Sequence, residues 1–95
     1  MSQLPDDEIE SGLASLPGWE RAGDEIAKEY RLGSFRDAVA FVVRLSYEAE
    51  AANHHPDLDI RWNRVLVRLS THSEGGITVN DLDLAGVIEG LAVSR

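Results

Sequence analysis

The side chains best suited to proton chemistry are concentrated in one stretch. All three histidines fall between positions 54 and 72: His54 and His55 are adjacent and followed by Pro56, and His72 stands alone in Thr71-His72-Ser73-Glu74-Gly75-Gly76. Imidazole is the side chain whose ordinary pKa lies nearest neutrality, so such a grouping suits acid–base catalysis, metal ligation or phosphate binding. Glu50, Asn53, Trp62 and Asp81 lie around it in sequence. Taken singly, each has a plain structural explanation. A His-His pair can be a polar loop after a helix, Trp62 a core residue on a strand, Asp81 a helix cap and Glu50 a solvated edge. Taken together, they describe imidazoles, carboxylates and an aromatic wall around one cleft.

Other chemistries fit less well. No Ser or Thr has an evident triad partner, and Gly75-Gly76 is too short for a phosphate-binding loop. Metal ligation is not expected, because adjacent histidines usually point apart and neither His-x-His nor His-x-x-x-His occurs. The chain has no cysteine, which removes disulfides, thiolate catalysis and cysteine-bound zinc.

The elements that must position these groups follow from periodicity. Pro5 to Ser15 reads as a short helix with an acidic first turn, and Pro17-Gly18 ends it. Trp19 to Ala22 and Glu25 to Leu32 read as strands around a Gly23-Asp24 turn, with Ile26 and Tyr30 on one face. Ser34, with Asp37 three residues on, opens a helix running to about Asn53. One face of that helix is expected to carry Phe35, Val39, Val42, Leu45 and Ala49, and a second Ala40, Val43, Tyr47 and Ala51. A helix apolar on two sides implies a second partner, here another copy of the chain. Pro56 stops this helix. Ile60 and Trp62 are expected in a third strand, Asn63-Arg64 in a turn, and Val65, Val67 and Leu69 on the buried face of a fourth. Thr78 and Asp81 form a second capping box, opening a helix that buries Leu82, Ala85, Ile88, Leu91 and Ala92. The order α-ββ-α-ββ-α implies an α+β, two-layer domain over residues 1–95, with a four-stranded antiparallel sheet and three helices on one face.

A net charge of −8 disfavours nucleic acid and anionic membrane surfaces. No apolar run is long enough to span a membrane, and the acidic start lacks the features of a signal peptide, so a cytoplasmic location is expected. Ninety-five residues bury a modest core, which also favours oligomerisation.

The pattern Glu-x-x-x-His-His-Pro, an aromatic six residues after the proline, a histidine ten residues later and then an aspartate resembles the signature of the pterin-4a-carbinolamine dehydratases. Here it reads Glu50, His54, His55, Pro56, Trp62, His72 and Asp81. The resemblance covers most of the chain and includes Gly18-Trp19, Phe35, Leu69-Ser70-Thr71-His72 and Gly75-Gly76. It departs at Asn53, where relatives often carry Asp, and at Leu58, where an aromatic is common. The resemblance implies the same α-ββ-α-ββ-α fold, sheet-edge dimers, and tetramers through the long helix. It implies dehydration of 4a-hydroxytetrahydrobiopterin to quinonoid dihydropterin, in support of tetrahydrobiopterin recycling. His54 and His72 would be general acids, His55 the base and a pterin contact, and Asp81 an orienting group. Glu50, Asn53 and Trp62 would shape the substrate site. No metal or organic cofactor is implied. Expected partners are the pterin, further copies of the chain and, by function, an aromatic amino-acid hydroxylase. The alternative carried by the same resemblance is a non-catalytic coactivator or assembly module.

Overall fold

Two hairpins supply the sheet. In the computed structural model, which describes residues 2–94, β1 (Glu20–Ala22) pairs with β2 (Glu25–Arg31), and β3 (Asp57–Arg61) with β4 (Arg64–Leu69). The central β2–β4 pairing joins them into an antiparallel sheet ordered β1-β2-β4-β3. Alternation sets the faces. Ile26, Tyr30, Val65, Val67 and Leu69 are buried toward the helices, whereas Glu29, Arg31, Arg64 and Asp59 lie on the other face. The helices α1 (Asp6–Leu13), α2 (Phe35–Ala52) and α3 (Val79–Ser94) complete the core with Ile9, Phe41, Leu45, Leu84 and Ile88. The α+β fold and element order match those expected from the sequence. Among the described residues no helix is long and apolar enough to cross a membrane.

The long helix is phased differently from the expectation. Its buried residues are Ala38, Phe41, Leu45 and Ala49, at spacings of three and four. Phe35 and Val39 instead join Val43 and Tyr47 in an i, i+4 stripe that faces outward, exposed by 56%, 36%, 49% and 73%. Ala38, too small to stand out in the pattern, is fully buried in the core together with Phe41. The helix does carry two apolar sides. Ser34 Oγ accepts from the Asp37 N–H at 3.1 Å, as expected of the cap.

The second hairpin also differs. Trp62 lies outside β3, and the two-residue turn is Trp62-Asn63 rather than Asn63-Arg64, with Arg61 opposite Arg64 as the closing pair. Asn63 explains the placement. Its carbonyl accepts from Leu32 N at 2.8 Å and its Nδ2 donates to Leu32 O at 3.0 Å, tying the turn to the end of β2. Trp62 consequently takes φ +54° and is 72% exposed. In α3, Leu84 is buried with Ala85 and Ile88, while Leu82 is only partly so. The segment after β4 contains a single 3-10 turn, His72–Glu74, closed by a Thr71–Gly76 bridge.

A polar cluster inside the helix–sheet interface was not legible in the sequence. Glu89 Oε1 accepts from Lys28 Nζ at 2.6 Å, Tyr30 OH at 2.5 Å and Trp19 Nε1 at 3.3 Å. Lys28 Nζ also donates to Pro17 O at 2.6 Å. Burial alone would raise the Glu89 pKa, but the hydrogen bonds from Lys28 and Tyr30 outweigh it and hold the carboxyl below its usual range. Burial, then the bond to Glu89, pushes the Tyr30 hydroxyl well above its ordinary value. The cluster staples α3 to β2 and to the segment entering β1.

Candidate active site

The C-terminus of α2 delivers the first two histidines. Asn53 takes the left-handed conformation (φ +50°); its N–H donates to Glu50 O at 3.1 Å, and the His54 N–H reaches back to Ala49 O at 3.0 Å. This pair of bonds is a Schellman ending, and asparagine tolerates the backbone it needs. The turn directs His54 toward the start of α3. His54 Nε2 lies 2.5 Å from Asp81 Oδ1, with the imidazole 11% exposed and the carboxylate fully buried.

Asp81 is held from several sides. Its Oδ2 accepts from Thr71 Oγ1 at 2.8 Å and from the Thr78 backbone N–H at 2.9 Å. Thr71 and Thr78 hydroxyls meet at 2.7 Å, and Thr78 Oγ1 accepts from Asn80 N at 3.2 Å. Asp81 thus caps α3 through the Thr78 N–H and anchors an imidazole with its other oxygen. A carboxylate that receives these donors is an acceptor, so His54 donates through Nε2 and presents Nδ1 as its free ring nitrogen. Sequence reading treated Thr78 as a cap and did not single out Thr71. The only hint was that Thr71 precedes His72 in the strand-end run.

His55 forms a second imidazole–carboxylate pair. Its Nε2 is 2.8 Å from Glu50 Oε1, and both side chains are largely exposed. His72 is exposed on the loop after β4. Its backbone is fixed by Gly75 N donating to His72 O at 3.1 Å and by Thr71 N donating to Gly76 O at 2.8 Å. Gly75 has φ +72°, which favours glycine, and a Cβ on Gly76 would come within 2.8 Å of Gln3 Oε1. Gln3 Nε2 also donates to Glu74 O at 2.7 Å, so the N-terminal segment braces the loop.

Antiparallel pairing brings these groups to one end of the sheet. Asp57, just after His55-Pro56, stands opposite Arg68 near the end of β4, so the His72 loop leaves from the same end. Trp62 is at the opposite end, roughly 20 Å of strand from Pro56 at about 3.3 Å per residue. Within one chain it is not a wall of the histidine cluster, a correction that follows from its place in the hairpin turn. A hollow of about 310 Å³ lies between α2 and α3 and is lined by His54, Glu48, Ala52, Asn80 and Asp83, among others. A second hollow of about 320 Å³, on the outer sheet face, is lined by Glu29, Asp59, Arg61, Arg64 and Leu66 and contains no imidazole. Among the described residues no three His, Asp or Glu side chains converge in a way that could hold a metal ion.

The family model described as pterin 4 alpha carbinolamine dehydratase matches residues 2–91. The chain belongs to the pterin-4a-carbinolamine dehydratase family. A relative from Roseiflexus castenholzii, whose name assigns it provisionally to pterin-4-alpha-carbinolamine dehydratase, is 55% identical over 86 residues, covering 90% of this chain and 92% of that one. A crystal structure from Brucella melitensis, described as a transcriptional coactivator/pterin dehydratase, superposes with a TM-score of 0.92 at 31% identity, covering 96% of this chain and 99% of that one. A pterin dehydratase-like protein described as a RuBisCO assembly factor in the alpha-carboxysome shares the fold, with a TM-score of 0.66 at 19% identity over 81% of this chain and 89% of that one. Family membership is thus common to proteins described in different functional terms, and the activity of this pterin-dehydratase-family chain must be argued from its own side chains.

Proposed function

We propose that this chain catalyses the dehydration of 4a-hydroxytetrahydrobiopterin to quinonoid dihydropterin and water. The observation that carries the reading is the His54–Asp81 pair, with Asp81 buried and held by Thr71 and Thr78. Helix capping needs only one oxygen of Asp81; the other fixes the orientation and tautomer of an imidazole. In the reaction the C4a–O bond breaks and the hydroxyl leaves as water, taking a proton from an acid. N5 loses its proton to a base, and the freed electron pair closes the C4a=N5 bond. No electrons are exchanged with a cofactor. His54, exchanging protons at Nδ1, and His72, exposed at the same sheet end, are the acids. His55, oriented by Glu50, is the base and a pterin contact. Asn53 sets the backbone turn that aims His54 and lies beside the substrate. Catalysis of this kind typically contributes about 10²–10⁴-fold.

We place the reaction in the cytoplasm, in support of tetrahydrobiopterin recycling for an aromatic amino-acid hydroxylase. The outward Phe35, Val39, Val43, Tyr47 stripe supports self-association through α2. It also supports the second reading, a protein-docking or coactivator role on the same fold. The experiment that separates them is turnover of freshly generated 4a-hydroxytetrahydropterin. Acceleration over the spontaneous reaction, reduced in His54→Ala, supports the enzyme; parental protein no faster than buffer leaves the docking role.

A further inference from the structure

The outer face of the sheet carries a row of cations that the chain itself leaves largely unpaired. Residues directly opposite one another share a face, and the register sets Arg31 against Arg64 and Arg64 against Arg61. Three of the chain's nine Lys and Arg side chains therefore stand abreast across β2, β4 and β3, in a protein of net charge −8. Opposed Cβ atoms in such pairs are about 5 Å apart, and like charges placed opposite one another destabilise a sheet. Little inside the chain offsets the repulsion. Arg61 Nε lies 3.3 Å from Asp59 Oδ1, but the arginine is largely exposed and the pair is screened by solvent. Arg31 and Arg64, both exposed, have no ion pair or side-chain hydrogen bond among the described residues. Arg68, further along β4, is drawn off by Glu25, with Nε 3.6 Å from Oε1.

The neighbouring rung limits what can lie on this row. Glu29, Leu66 and Asp59 stand abreast in the next outward rung, two residues along each strand and so roughly 7 Å away. With Arg61 and Arg64 these three line the hollow of about 320 Å³ on the outer face. Its floor is cationic at one end, and beyond that an apolar side chain lies between two carboxylates. Guanidinium forks suit phosphate oxygens, which they can hold bidentately. A second phosphate carried along the strands would meet Glu29 and Asp59, so a polymeric phosphate backbone is disfavoured there, as the net charge disfavours it overall. Carboxylates accept from hydroxyl and amino groups instead.

We propose that the outer sheet face binds a small phosphomonoester. Arg64, flanked by Arg31 and Arg61, holds its phosphate; Glu29 and Asp59 accept from its hydroxyl or amino groups; its carbon skeleton lies over Leu66. The bound phosphate neutralises charges that have no counterpart in the chain. Arg61 ends β3 and Arg64 begins β4, so the row lies at the end of the sheet away from Pro56 and on the face away from the helices. The site is therefore separate from the histidine cluster and stands without the catalytic reading.

The test is isothermal titration calorimetry of the full chain at low ionic strength, with ribose 5-phosphate as the probe and ribose and inorganic phosphate as controls. Ribose 5-phosphate should bind saturably and more tightly than phosphate, and ribose should give no heat of binding. Arg64→Gln removes the central fork and should weaken ribose 5-phosphate at least about tenfold. Glu29→Ala/Asp59→Ala should erase the preference for ribose 5-phosphate over phosphate. No saturable binding of ribose 5-phosphate, or binding that Arg64→Gln leaves unchanged, overturns the site. Equal affinity of the parent for both anions means an adventitious ion only and overturns the ligand class. A preference that survives Glu29→Ala/Asp59→Ala overturns the role of the carboxylates. A DNA duplex that binds more tightly and displaces ribose 5-phosphate overturns the small ligand in favour of a polymer. Thermal melting supplies the folding control. Arg64→Gln relieves the repulsion and should melt, without ligand, no lower than the parent, and ribose 5-phosphate should raise Tm of the parent alone. A marked fall in Tm of ligand-free Arg64→Gln would show that the chain does compensate the row, and would overturn the proposal.

Discussion

Asp81→Asn separates the two roles of one buried carboxylate. Asp81 accepts from His54 Nε2, Thr71 Oγ1 and the Thr78 N–H. The asparagine oxygen can replace Oδ2, because the Thr78 N–H can only donate and needs an acceptor. The amide nitrogen must then face His54, and two donors cannot share that contact. The imidazole resolves the conflict by giving up its Nε2 proton to accept from the amide, which disfavours the doubly protonated ring that must release a proton from Nδ1. Capping survives and charge assistance is lost, so stability should fall by about 1–2 kcal/mol. For a domain of this size that lowers Tm by roughly 5–15 °C. Turnover should suffer more. In serine proteases an aspartate-to-asparagine change at a comparable carboxylate–imidazole contact costs about 10⁴-fold by leaving the ring in the wrong protonation form for its task. Here a second acid can partly compensate, and a loss of at least about 10²-fold, or ~2.7 kcal/mol of barrier, is expected. Stopped-flow turnover, thermal melting and ¹⁵N shifts of the His54 ring are measured on one preparation. A fall in turnover under about threefold, with Nε2 still protonated, would refute the orienting role and leave Asp81 as a cap.

Two further outcomes follow from other parts of the molecule. Folding raises the Tyr30 pKa, so the folded state holds the phenol proton more tightly than the unfolded chain; stability is intact below the unfolded value of about 10 and is lost as pH rises beyond it. Parental Tm should therefore drop above about pH 10, and Tyr30→Phe, less stable at neutrality, should show a smaller alkaline drop; equal alkaline slopes contradict this account. Val43→Glu places a charge in the exposed stripe of α2 and should reduce the mass of any helix-mediated assembly while leaving monomer folding intact; light scattering showing parental mass for a folded variant rules that interface out.

Strand alternation and capping were legible because they are local. Val65, Val67 and Leu69 alternate, Ser34 caps α2, and Thr78 and Asp81 bracket the start of α3. The His-His-Pro segment likewise announced a helix end, and the left-handed Asn53 supplies it. What escaped depends on tertiary packing. The phase of α2 is set by burial of Ala38, Phe41, Leu45 and Ala49, and two alanines in that row carry little hydrophobic signal on their own. Trp62 looked like the next apolar strand residue, but the Asn63–Leu32 bonds end the strand one residue earlier. Thr71 is unremarkable until β4 carries it to within 2.8 Å of Asp81. Glu89 meets Lys28 across 61 residues of chain, a contact that no spacing encodes.

The central claim is that the histidines at this sheet end carry the proton transfers of dehydration. The most direct test is turnover of freshly generated 4a-hydroxytetrahydropterin by His54→Ala, His72→Ala and the double variant, with circular dichroism of each. Each single change should slow the reaction, and the double change should slow it more, by about 10²-fold or beyond, with the fold retained. A folded double variant turning over at the parental rate would contradict the acid–base assignment.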